Sequence, residues 1–233
     1  MDFYNYKQIS IDELRKKSRE SLKLGYSPVV IDGRKIAKTW WGEKWCENLE
    51  NYADFSNRIQ RGKRYVRSGA VIDLKIEEGF ISALVQGSRR KPYKVLIEIF
   101  PLSKKKQKDI LNVAQNKIEN IESLVEGEFP EELSNLFLNS DTGLFPSPNE
   151  IKINCNCPDW AVLCKHATAV LYGIGAKLDE NPLMFFLLRS IDFNQFLQRS
   201  IEEKKQLMIK NIENENKRLI PKDLAKDLFG FEF

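Results

Sequence analysis

The apolar positions of the chain change period as it is read from the amino end. From Thr39 to Ala53, Trp41, Trp45, Leu49 and Tyr52 recur at every third or fourth position, which predicts an amphipathic helix. Three short stretches then alternate in the manner of strands: Ala70 to Ile76, Phe80 to Gln86 and Tyr93 to Phe100. Glu78-Gly79 is a turn signal between the first two, and a basic loop separates the second from the third. Short strands joined this closely predict an antiparallel meander.

Helical spacing returns from Ser103 to Leu124, through Ile110, Val113, Ala114, Ile118 and Ile121, with Ser103 placed to cap the first turn. A shorter helix is predicted from Phe129 to Leu138, and Thr142 to Asn149 is a turn-rich break. Beyond it an extended segment leads to an apolar helix through Ala167, Val170, Leu171, Ile174 and Leu178. Asn181-Pro182 has the form of an N-cap followed by the first helical residue, and the run Leu183 to Leu188 is apolar on all sides and so expected to be buried. A single stripe through Phe196, Leu197, Ile201, Met208 and Ile212 and an apolar tail after Pro221 complete the chain; the tail is expected either to fold back over the domain or to dock in a partner's groove, folding back being slightly favoured. The pattern is that of an α+β protein: a small antiparallel sheet with flanking helices over residues 1–140, then a cysteine-rich knuckle feeding a helical carboxy-terminal region over residues 141–233.

Composition narrows the class. With 233 residues, 42% hydrophobic and 30% charged, the chain is able to bury a core, and no apolar run approaches the ~20 residues of a membrane helix. The net charge of +4 conceals an asymmetry: residues 58–108 carry fourteen basic and four acidic side chains, and residues 119–150 carry eight acidic and none basic. The amino end lacks a basic stretch followed by an apolar one, so secretion is not expected. Neither a phosphate-cradling G-x-x-x-x-G-K-[ST] nor a G-x-G-x-x-G occurs. The single histidine, His166, lies among cysteines, which leaves no uncommitted imidazole for a nucleophilic triad.

Residues 151–166 read IKINCNCPDWAVLCKH. Cys155 and Cys157 lie two apart on an extended segment, so both thiols face one side. Cys164 and His166 are also two apart, a spacing that converges only if Cys164 precedes the helix and His166 sits in its first turn. Three thiolates and one imidazole around a point form the tetrahedral set of a structural Zn²⁺. Such a site has no open position for water, so one zinc with a folding role is expected, in a reducing, cytoplasmic compartment. Lys165 is placed to offset the negative charge of three thiolates around Zn²⁺.

This C-x-C, short loop, C-x-H arrangement at the mouth of an apolar helix resembles the SWIM zinc finger. The words CPDWAVLCKHATAVLY and ENPLMFFLLR, with TWWGEKW, RGKRYVRSGAVIDL and VQGSRRKPYKV upstream, resemble its bacterial branch over roughly residues 39–190. The resemblance implies a zinc-dependent DNA-binding or protein-interaction module, and bacterial members are associated with Swi/Snf-type helicases. It brings no catalytic residues.

The basic block supplies the candidate ligand surface: Arg61, Lys63, Arg64 and Arg67 before the first strand, and Arg89, Arg90 and Lys91 in the loop before the third. These cations are expected to hold phosphates, DNA ahead of RNA, with Tyr65 or Tyr93 available to stack on a base. Trp41 and Trp45 are expected in the core, with Trp40 off their stripe, and Cys46 as a small packed residue. The alternative is a protein-interaction adaptor using the zinc finger and the apolar carboxy-terminal helices. An enzyme built on Asp54, Asp73 or Glu98 ranks last, because these carboxylates show no paired spacing.

Overall fold

The computed structural model describes residues 9–51, 56–114, 121–128, 131–139, 143–161 and 163–193, with isolated positions 198, 202, 205, 206 and 209. The amphipathic stripe after Phe196 and the tail after Pro221 lie outside these residues, as does Asp54. No helix among the described residues is long and apolar enough to cross a membrane.

The three expected strands are present as β1 (Val71–Glu77), β2 (Phe80–Val85) and β3 (Tyr93–Ile99), joined antiparallel, with the first turn at Glu78-Gly79. A fourth strand, β4 (Ile151–Cys155), pairs antiparallel with β3, placing Cys155 opposite Val95 and Ile151 opposite Ile99. The sheet order is β1-β2-β3-β4. The fourth strand thus comes from the far side of the break at residues 142–149, and it carries the cysteines directly onto the sheet.

Seven residues of β3 alternate strictly between buried and exposed, so Tyr93, Val95, Ile97 and Ile99 face the core. The helix α7 (Lys165–Glu180) lies against this face and is buried at every residue from His166 to Ala176. It packs against α2 (Trp40–Asn51) and α3 (Ser56–Arg67). Trp45 donates its indole N–H to the Leu171 carbonyl at 2.8 Å, and Trp41 stands in an aromatic group with Phe137, Phe145, Phe185 and Phe186. Both are fully buried, as expected, and Trp40 sits edge-on to Trp41 with ring centroids 4.8 Å apart.

The helices α1 (Ile11–Ser21) and α3 were not legible as helices in the pattern of apolar positions. Ser10 caps α1 by accepting the Glu13 N–H at 3.1 Å. In α3, Gly62 is a point of close approach: a Cβ there would lie 2.3 Å from Thr168 Cγ2 of α7. The helix expected from Ser103 to Leu124 is described as α4 (Lys104–Ala114) and α5 (Ile121–Glu126), with Ser103 Oγ accepting from the Lys106 N–H at 3.3 Å. The shorter helix is α6 (Glu131–Leu138).

Asn181 opens a turn rather than the helix itself. Its side chain accepts the Leu183 N–H at 3.1 Å, and α8 (Met184–Leu188) follows with Phe185, Phe186 and Leu188 buried in this chain. Beyond α8, Arg189 is fully buried and donates to the Phe100 carbonyl at 2.8 Å and to Glu150 at 3.0 Å. This pair ties the end of β3 to the approach to β4.

Candidate metal centre and the basic loop beside it

The cluster is assembled by the ends of two elements. Cys155 closes β4, and the ladder runs one residue further: the Asn156 N–H donates to the Lys94 carbonyl at 3.2 Å, and the Lys94 N–H donates to Asn156 Oδ1 at 2.9 Å. Cys157 therefore starts from a backbone anchored to β3. Cys164 is the N-cap of α7, with extended backbone and its Sγ 3.5 Å from the Ala167 N–H, and His166 is in the first helical turn. This is the placement that the two-residue spacing of Cys164 and His166 requires.

The ligand atoms of Cys155, Cys157, Cys164 and His166 all lie within 4.8 Å of one another. His166 turns Nδ1 toward the sulfurs, 3.9 Å from Cys155 Sγ, and its Nε2 is buried beside Gly87, where a Cβ would approach to 3.3 Å. Gly87 thereby leaves room for both the imidazole and the Tyr93 ring. The Cys164 thiol is held below its ordinary range by a hydrogen bond from Cys155, with help from His166 and the Ala167 N–H at the helix end, against the cost of burial. The Cys155 thiol is pushed up by the same bond and by burial, and the Cys157 thiol is raised chiefly by burial. A divalent cation among the three sulfurs would favour their thiolate forms against the cost of burial. The donor set is able to hold a single metal ion, and its soft sulfurs and close spacing fit such an ion.

Two aromatic rings wall the histidine. Tyr93 stacks on it with centroids 4.1 Å apart, and Tyr65 meets it edge-on at 5.5 Å. Both tyrosines are buried, 5% and 6% exposed, so neither is available to stack on a base as the sequence suggested. Their rings are spent on the imidazole. Trp160, on the loop between Cys157 and Cys164, is 83% exposed. Arg58 lies over its ring at 5.8 Å and is paired with Asp159, so α3 grips the knuckle loop.

The basic block divides into two groups. On α3, Lys63 pairs with Glu50 at 2.7 Å and Arg64 donates to the Ile9 carbonyl at 2.7 Å, whereas Arg61 and Arg67 are exposed, Arg67 reaching the Arg34 carbonyl at 3.2 Å. In the loop between β2 and β3, Arg89, Arg90 and Lys91 are all exposed, with Arg89 over the Tyr93 ring at 5.3 Å. That loop is held from within: buried Gln86 donates to the Arg89 carbonyl at 2.8 Å, and Lys17 of α1 donates to the Ser88 carbonyl at 3.1 Å. A half-open cleft of about 470 Å³ is lined by Arg89, Lys91, Pro92, Tyr93, Lys94 and Asn156. Asn156 lies between two of the cysteine ligands, so the cleft joins the basic loop to the metal knuckle.

Trp160 and Asn156 were passed over in the sequence. The signal for Trp160 was present: a large aromatic inside a short metal-binding loop has little core to enter. Cys46 is packed against Gly175, and its thiol is pushed up to about 12 by burial. Asp73 accepts the Ser27 N–H at 2.9 Å, and Glu98 pairs with Lys152 at 3.6 Å, so each is occupied on its own part of the sheet.

Part of this chain is similar to a mycobacterial protein. The uncharacterized protein Rv2102 of Mycobacterium tuberculosis is 37% identical over 155 residues, which cover 66% of this chain and 56% of that protein. The chain therefore matches little more than half of that relative's length. No family model and no solved structure matches the chain.

Proposed function

We propose that this protein is a non-catalytic, zinc-organised module that binds nucleic acid, DNA ahead of RNA, beside a helicase or remodelling motor in the cytoplasm. The observation that carries the reading is the attachment of the basic loop to the metal knuckle. Tyr93, at the end of that loop, stacks on the ligand His166, and Lys94 exchanges two hydrogen bonds with Asn156 between the ligands Cys155 and Cys157. Zinc bound at Cys155, Cys157, Cys164 and His166 would fix the position of Arg89, Arg90 and Lys91. Cations so fixed hold a phosphate chain without first paying the entropy of ordering a loop.

Zinc is the metal favoured for a Cys₃His set, because its four-coordinate preference matches four donors with no vacancy. The motor rests on the SWIM resemblance alone. The test is fluorescence anisotropy of labelled DNA and RNA with zinc-loaded and chelator-treated protein. Low-salt binding that weakens when zinc is removed supports the reading. Absence of binding under both conditions contradicts it and favours the protein-interaction adaptor.

A further inference from the structure

We infer that the nucleic acid taken by this surface is a single strand, with Trp160 as the platform on which one base stacks. The inference rests on the nucleic-acid reading above and adds the strand form and the residue that selects it. Trp160 is 83% exposed, although an indole gains more from burial than almost any other side chain. It is also held in place. Its neighbour Asp159 is paired with Arg58, accepts the Ala161 N–H at 3.3 Å, and has the Arg58 guanidinium beside the Trp160 ring.

A fixed, solvent-facing indole beside an arginine is equipment for stacking an unpaired base. The two helices nearest the knuckle are largely committed within the chain. The helix that follows the knuckle is buried from His166 to Ala176 and cannot enter a major groove. The basic helix α3 commits Arg58, Lys63 and Arg64 to contacts within the chain and leaves Arg61 and Arg67 exposed. A single strand asks only for stacking and a phosphate track; the exposed Trp160 of the knuckle loop offers the first, and the exposed cations Arg89, Arg90 and Lys91, on the loop tied to the knuckle through Lys94 and Asn156, offer the second.

The experiment compares zinc-loaded wild type, Trp160→Ala and Trp160→Phe on four labelled probes of equal length: oligo-dT, oligo-U, a DNA duplex and an abasic DNA strand. The expected result is that wild type prefers oligo-dT or oligo-U to the duplex and to the abasic strand. Trp160→Ala should weaken binding to the pyrimidine strands roughly 5- to 150-fold, the range for losing one stacked base, and Trp160→Phe should recover much of it. Indole fluorescence should fall when wild type binds, since Trp41 and Trp45 are buried and Trp40 is half-buried. The ratio of oligo-dT to oligo-U affinity separates DNA from RNA as the source of the strand. Equal affinity for duplex and single strand, or an unchanged affinity in Trp160→Ala with full zinc content, overturns the inference while leaving nucleic-acid binding standing. No binding to any probe overturns both.

Discussion

The imidazole of His166 lies against the phenol of Tyr93, with ring planes 23° from parallel and centroids 4.1 Å apart. One residue belongs to the metal cluster and the other ends the basic loop, so a change in either reaches the other. A stacked aromatic pair contributes about 0.5–1.5 kcal/mol beyond the area it buries. Tyr93→Leu should therefore destabilise the fold by at least that amount and speed the loss of metal to a colorimetric chelator. Tyr93→Phe keeps the ring and should release metal at the wild-type rate. Identical release from all three proteins would show that the stack does not support the centre.

Cys164 both caps α7 and offers a sulfur to the metal, through its Sγ 3.5 Å from the Ala167 N–H. Cys164→Ala should lower bound metal from one per chain toward none and reduce the melting temperature by many degrees. Cys164→Ser keeps an acceptor for the cap but is a poor zinc ligand. It should lose the metal yet recover part of the stability, about 0.5–2 kcal/mol for a restored cap. Elemental analysis and thermal melts check both halves of the expectation.

Gly62 sets how closely α3 approaches the start of α7. Gly62→Ala would place a Cβ 2.3 Å from Thr168 Cγ2, two residues beyond the ligand His166. Overpacking of this kind costs about 1–3 kcal/mol. Denaturant melts should show a loss of that size, larger than the gain of up to 1 kcal/mol that alanine gives in an open helix. A stabilised Gly62→Ala variant would mean that the two helices part without cost.

Glu150 and Arg189 carry an acid-sensitive term of the fold. Burial opposes ionisation of Glu150, but the Ser147 N–H, the Arg189 guanidinium and Lys106 outweigh it and hold the carboxyl below its ordinary 4.5. A carboxyl depressed on folding contributes stability that is present above its unfolded value and is lost as pH falls through the folded one. The difference in stability between wild type and Glu150→Gln should therefore be constant near neutrality and shrink below about pH 4.5. Arg189→Met alone removes one of the partners of Glu150, which keeps the Ser147 N–H and Lys106, and should cost more than the double variant with Glu150→Gln. Chemical denaturation at several pH values, with zinc held in excess, measures each term.

Much of this architecture was legible in the sequence because its signals are local. Alternation in Tyr93 to Ile99 marks a half-buried strand, and the spacing of Cys164 and His166 allows one convergent geometry at a helix start. The fourth strand was not read as part of the sheet, because the partner of Ile151–Cys155 is more than fifty residues earlier in the chain and nothing local names it. α3 escaped notice because Gly62 interrupts its apolar stripe and its cations resemble a loop. Tyr65 and Tyr93 were expected to be open to a ligand; their burial follows from the imidazole between them, a contact that no spacing along the chain reveals. The division of the seven candidate cations was equally invisible: Arg64 and Arg67 reach backbone carbonyls at Ile9 and Arg34, far away in sequence.

The most direct test of the central claim, that the metal knuckle presents the basic loop to a phosphate chain, is the salt dependence of binding. Zinc-loaded wild type is compared with Arg89→Glu/Arg90→Glu/Lys91→Glu, whose cations are exposed and lie apart from the four ligands. On a single strand each neutralised phosphate contributes a slope of about −0.7 in log affinity against log salt. The variant should keep one zinc and its melting temperature, bind more weakly at low salt, and show a slope shallower by about two to three such contacts. An unchanged slope in a folded, zinc-loaded variant would place the phosphates elsewhere and contradict the account.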